Sequence, residues 1–190
     1  NRNINLPKFT AQAQIMSNLI TNFNHTHQQF LQYIQALSDA SFTAAPANKW
    51  TPGQQLEHVY LCLRPLAQVL ASKEFIQQKF GTINRPTASY DEVISNYKAA
   101  LEKGGKAPDR FVPATVELAR KADLIKLTNE MLDTICSQLQ TYTDTELDGL
   151  AIPHPLLGNL SIREMFHLMT YHATHHLNQT KQNLLLVKAA

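Results

Sequence analysis

Met165-Phe-His-Leu-Met169-Thr-Tyr-His172-Ala-Thr-His175-His176-Leu-Asn-Gln179-Thr-Lys-Gln-Asn183-Leu-Leu-Leu186 sets the fold class. Met165, Met169, His172, His176, Gln179, Asn183 and Leu186 recur at alternating steps of four and three, the spacing of a buried seam on a bundle helix. On such a helix His172 and His176 project from one face, one above the other, and Gln179 follows on the same face. Imidazoles and amides in a core stripe are costly unless something satisfies them, and a metal ion would do so.

Outward from this helix the same period recurs. Ser161-Ile162-Arg163-Glu164 has the form of a capping box that starts it. A first long helix is predicted from about Pro7 to Leu37, with Phe9, Ala13, Met16, Ile20, Phe23, His27, Phe30, Ile34 and Leu37 on its seam. Ser38 to Lys49 connects it to a second helix. There Thr51 caps, Pro52 suits the first turn and Gln54 closes a capping box. That helix is expected to run to about Phe80, kinked or interrupted at Pro65 and stopped at Gly81. Ser89-Tyr90-Asp91-Glu92 opens a short helix through Val93, Ile94, Tyr97 and Leu101, ended by Gly104-Gly105. A third bundle helix starts at about Thr115 or Lys121 and reaches Tyr142, with Ile125, Leu132, Ile135 and Leu139 inward. Thr143 to Leu160, with Pro153-His154-Pro155, reads as a connection.

The pattern predicts an all-α four-helix bundle forming a single domain over residues 1–190. The connection from Gly81 to Ala114 is long and carries its own helix, so a crossover between two parallel neighbours belongs there. A hydrophobic share of 44% and a charged share of 17% exclude a disordered chain, and only 6 glycines argue against a many-turned β fold. The formal net charge of +2, with no Lys/Arg block, does not point to nucleic acid. No apolar run approaches the ~18 residues of a membrane span. Cys62 and Cys136 form no CxxC pair, in keeping with a reducing compartment, the cytoplasm. Asn1 to Lys8 do not read as a signal peptide. The chain does not begin with Met, which leaves a removed leader open.

Of the 8 histidines, His27, His172 and His176 fall on inward positions. His27 alone reads as a core histidine held by one hydrogen bond, or as a pocket residue beside a cofactor. His58 lies on a stripe with Cys62 and Pro65, next to the apolar stripe of Leu56, Val59, Leu63 and Leu66, and can border a cleft. A His pair from one helix and a third His from a neighbour make a three-ligand site. There is no Glu after His172, so the base of HExxH proteases is missing. Cys62, one turn past His58, is either a small core residue or a fourth ligand. His167 and His175 are off the stripe and are expected at the surface or in packing. His154 is expected to shape its loop.

Trp50-Thr51-Pro52-Gly53-Gln54 with His58, then His154-Pro155-Leu156-Leu157-Gly158-Asn159-Leu160-Ser161 leading into His172-x-x-x-His176-x-x-Gln179, resembles the DinB-like superfamily of metal-binding four-helix bundles. The resemblance implies an up-down-down-up bundle and a divalent metal on His58, His172 and His176. It also implies thiol-dependent transferase or isomerase chemistry with a low-molecular-weight thiol. Zn, Ni, Mn or Fe would suit such a site, and three protein ligands leave positions for water, giving hydrolysis, or for a thiol, giving transfer. Gln179 is a candidate to orient water or substrate, or a buried amide bonded to a neighbouring helix. Glu57 is a candidate base, or a solvated helix residue. The expected partner is a small-molecule substrate, with two-fold association as the commonest oligomer. The alternative is a non-catalytic bundle that binds a metal or a ligand.

Overall fold

Local capping signals mark where most of the helices begin. The computed structural model describes residues 11–189, with side chains from Met16 onward. Pro7 and Phe9, the expected start of the first helix, and the side chain of Ala13 lie outside the described residues. The first helix, α1, spans Ala11–Ala36. Phe23, His27, Phe30 and Ile34 are buried along its seam as expected, joined by Leu19 and Leu31. Met16, Ile20 and Leu37 pack only partly buried against that core. A one-turn helix, α2 (Asp39–Phe42), brings Phe42 into the core.

The helix α3 (Pro52–Leu70) starts at the capping box read from sequence: Gln54 N donates to Thr51 Oγ1 at 3.1 Å, and Thr51 N to Gln54 Oε1 at 3.0 Å. It passes through Pro65 without a break and ends at Leu70. The interruption lies later, where Ser72 turns extended and caps a separate helix, α4 (Lys73–Phe80). The terminal carbonyl of Leu70 accepts the Tyr142 hydroxyl at 2.8 Å, which satisfies one orphan group of the helix end. Gly81, at φ +80, stops α4.

The long connection is anchored at both ends. Its helix α5 (Tyr90–Glu102) has the Ser89–Glu92 capping box and buries Val93, Ile94 and Tyr97. Before it, Arg85 and the amide of Ala88 reach the carboxylate of Glu164, which is 0% exposed. Burial opposes charge on Glu164, but Arg85 and the amides of Ala88 and Ser161 outweigh it and hold the carboxyl below its ordinary range.

The helix α6 (Lys121–Leu139) begins at Lys121, whose ammonium caps the carbonyl of Leu37 at 2.6 Å. Leu124, Thr128, Leu132, Ile135 and Leu139 are its buried face, and Ile125 is only half-buried. The segment from Thr143 to Leu160 is not a plain connection. Thr143 and Glu146 form a capping box for α7 (Asp144–Gly149). An antiparallel hairpin follows, β1 (Ala151–His154) and β2 (Gly158–Ser161), a small addition to the expected helical bundle. Isolated prolines hid these strands from the sequence reading, because proline demotes a strand pattern. Pro153 is exposed, in a two-stranded hairpin where a missing N–H is tolerated. Thr82 bridges to Leu150, which ties the start of the long connection to the hairpin.

The last helix, α8 (Ile162–Ala189), packs chiefly on α1, and α3 packs chiefly on α6. The Phe23 ring meets Phe166, and Lys181 lies over Tyr33, so α1 and α8 run in the same direction. Gln55 meets Gln179 and His58 meets His172, so α3 runs against α8. Gln28 meets Asn129 and Leu37 meets Lys121, so α6 runs against α1. On α8, Met165, Met169, His172, His176 and Asn183 are buried, Gln179 is half-buried, and Leu186 is 55% exposed rather than inward. A straight helix drifts from a seven-residue repeat, so by its last turns Thr180 and Leu184 have replaced the seam positions. No helix among the described residues is long and apolar enough to cross a membrane.

Candidate metal centre

The capping box at Thr51 fixes the phase of α3 and turns Gln55 and His58 inward, three residues apart on one face. Opposite them, α8 presents His172 and His176. The three histidines are 4%, 7% and 4% exposed, so sequence-distant polar groups share one buried site. His172 Nε2 lies 3.1 Å from His58 Nε2 and 3.0 Å from His176 Nε2. Nitrogens this close are what one first-row ion at ~2.0–2.1 Å from each would gather.

Hydrogen bonding fixes which nitrogens are bare. His58 Nδ1–H donates to the carbonyl of Phe111 at 2.7 Å, and a carbonyl can only accept. His176 Nδ1–H donates to Gln55 Oε1 at 2.5 Å. In each neutral ring the Nε2 lone pair is therefore free and aimed at His172. One proton on His172 could satisfy only one of them. Burial drives the His172 and His176 pKa values well down, each further lowered by the neighbouring imidazoles. Burial also lowers that of His58, against the Phe111 hydrogen bond. Neutral, pre-oriented imidazoles with backbone and amide partners are the donor set a divalent ion takes, and the residues present fit that group.

Cys62, one turn beyond His58, brings Sγ to 3.7 Å from His58 Nε2. Ligand atoms of His58, Cys62 and His172 all lie within 4.8 Å of one another. Burial pushes the Cys62 thiol up to about 12, so without a cation it stays protonated. The indole of Trp50 covers the cluster, with ring centroids 5.0 Å from His58 and 6.3 Å from His176. Asn183 Nδ2 donates to the Trp50 carbonyl at 3.1 Å and holds that cover in place.

Gln179 stands one step back from the cluster. It accepts from Gln55 Nε2 at 3.4 Å, which links α3 to α8, and contacts His175 Nε2 at 2.9 Å. Gln55 itself was missed by the sequence reading. Its signal was position alone, one turn ahead of His58 on the inward face. The Phe111 carbonyl carries no sequence signal. Glu57 does not line the cleft described below, and its Oε2 is buried without a hydrogen-bond partner among the described residues. His27, the expected pocket residue, also does not line the cleft. It is fully buried, donates Nδ1–H to the Phe23 carbonyl at 2.7 Å, and burial lowers its pKa to about 4. Its Nε2 and the Nδ1 of His172 are both buried without partners among the described residues. His154 accepts from the amide of Leu156 and shapes the hairpin loop, and His175 packs beside Tyr171.

A cleft of about 580 Å³ opens above His58, Cys62 and His172 between α3, α5, α8, the 103–112 loop and the hairpin. A concave site with convergent polar groups at its floor is the usual form of a small-molecule site.

No curated protein matches this chain. Among solved structures, YfiT from Bacillus subtilis is similar in fold, with a TM-score of 0.58 and 14% identity over 93% of this chain and 90% of that one. It is described as a probable metal-dependent hydrolase with an unusual four-helix bundle topology. The family model described as the DinB superfamily matches residues 22–180. By that match, which takes in α3, most of α8 and every histidine of the cluster, the chain belongs to the DinB superfamily.

Proposed function

We propose that this protein is a metal-dependent enzyme in which His58, His172 and His176 hold a divalent ion, of the Zn, Ni, Mn or Fe class, at the floor of the cleft. The observation that supports this most is the pair of bare Nε2 lone pairs aimed at His172, with their tautomers held by Phe111 and Gln55. When bound, such an ion supplies Lewis acidity and lowers the pKa of a water or thiol that reaches it. The protein's own residues do the rest. Gln55 and the Phe111 carbonyl keep His176 and His58 in the ligating tautomer, Trp50 excludes water from one side, and Met165 and Met169 line an apolar wall.

Water activation makes the protein a hydrolase, in line with the description of YfiT. A low-molecular-weight thiol in the same place makes it a transferase. Both reactions need a small-molecule substrate, and the free thiols of Cys62 and Cys136 suit a reducing cytoplasm.

The test is metal analysis of purified protein beside His172→Ala, followed by a screen with esters, amides, and thiols paired with electrophiles, with and without chelator. About one equivalent of metal, absent from His172→Ala, and turnover lost to chelator are expected. Wild type without metal affinity would refute the centre. Full metal loading with no turnover across the screen would leave a binding protein instead.

A further inference from the structure

The mouth of the cleft carries one sign of charge. Arg64 on α3 and Lys106 and Arg110 on the 103–112 loop line it, and no carboxylate does. All three cations are exposed, and none makes an ion pair among the described residues. Elsewhere Lys73, Arg85 and Arg163 are each matched to a carboxylate within 2.7 Å. The Arg110 guanidinium instead lies 4.8 Å from the centroid of the Phe111 ring, beside the residue whose carbonyl orients His58.

Below this rim the walls are apolar, formed by Leu66, Val69, Phe80, Met165, Leu168 and Met169. Unpaired cations at the mouth of a low-dielectric cleft focus a positive potential on it and favour an anion there. Apolar walls below favour a hydrophobic body. A cleft of about 580 Å³ takes both parts at once.

We propose that the cleft binds an amphipathic organic anion. Its carboxylate or phosphate sits at Arg64, Lys106 and Arg110, its apolar body lies along Met165 and Met169, and its far end faces His58 and His172. Only the last clause rests on the metal-centre reading. Arg64 and Arg110 are then specificity-determining residues that select substrate by charge.

Calorimetric titration of chelator-treated protein tests this, with decanoate and decyl phosphate as anionic probes and decanol as the neutral one. Removing metal first prevents direct coordination from mimicking rim binding. At least one anion is expected to bind ~tenfold or more tightly than decanol, with an affinity that falls as salt rises. The stronger anion identifies the headgroup. Arg64→Ala/Arg110→Ala should lose that preference and keep decanol affinity, and the charge-retaining Arg64→Lys/Arg110→Lys should restore most of it. Equal affinity for decanol and both anions, no binding of either anion, or an unchanged preference in the alanine variant would overturn the proposal. Metal content is measured separately, so loss of the centre and loss of the rim are told apart.

Discussion

Glu164→Gln tests how the long connection is held to the bundle. The wild-type carboxylate is fully buried and accepts from Arg85 Nη2 at 2.8 Å, Ala88 N at 2.6 Å and Ser161 N at 2.9 Å. Its two oxygens each serve one backbone amide, so a Gln side chain in either orientation turns an NH2 toward one of them. A buried donor left without an acceptor costs roughly 1–3 kcal/mol. The lost Arg85 pairing adds at most about 1 kcal/mol, because Arg85 is 45% exposed and water takes over. The sum is about 1–4 kcal/mol, or roughly 2–16 °C in Tm for a domain of this size. The folded carboxyl lies below its ordinary pKa, so its contribution is complete above the unfolded value and is lost as pH falls through the folded one. The gap between wild type and Glu164→Gln should therefore be widest near pH 7 and narrow in acid. Urea unfolding at pH 7 and pH 4 measures both. A difference under about 1 kcal/mol at pH 7, or a gap that widens in acid, would refute the reasoning.

Two further substitutions probe the site and its frame. Gln55→Leu removes the acceptor of His176 Nδ1–H, and metal affinity should fall about ten- to a hundredfold in chelator competition. An unchanged affinity would mean that Gln55 does not set the His176 tautomer. In Gly53→Ala the new Cβ meets Phe42 Cε1 and Cζ at 2.9 Å and Val116 Cβ at 3.2 Å. Overpacking of about 1–3 kcal/mol should outweigh the helix-propensity gain of up to about 1 kcal/mol, and urea unfolding should show a net loss that Phe42→Leu partly relieves.

Three of the helices whose start carries a side-chain cap were legible in the sequence. Thr51–Gln54, Ser89–Glu92 and Ser161–Glu164 each begin a helix where the pattern placed it. What escaped was set by tertiary partners. Pro65 sits inside α3 without ending it, and the break falls at Ser72, where Tyr142 from a distant segment covers the Leu70 carbonyl. Thr143 and Glu146 had the same capping form as the others but lie between stretches that read as connection. At the site, His172 and His176 stood out because imidazole on a buried face is anomalous, and His58 entered through the family resemblance. Gln55 did not, because glutamine in a first helical turn is ordinary, and a backbone carbonyl such as that of Phe111 leaves no trace in a side-chain pattern.

Trp50 is the sole tryptophan of the chain, and its indole lies against His58 and nearly parallel to His176, with an interplanar angle of 15°. Indole emission is quenched by nearby imidazolium and by open-shell cations, and is altered when an adjoining ring is immobilised. All indole emission of the protein therefore comes from one fluorophore placed against the histidine cluster. Occupancy of the proposed metal site would then be readable optically, in unlabelled protein and in real time, with closed-shell and open-shell ions told apart by the extent of quenching.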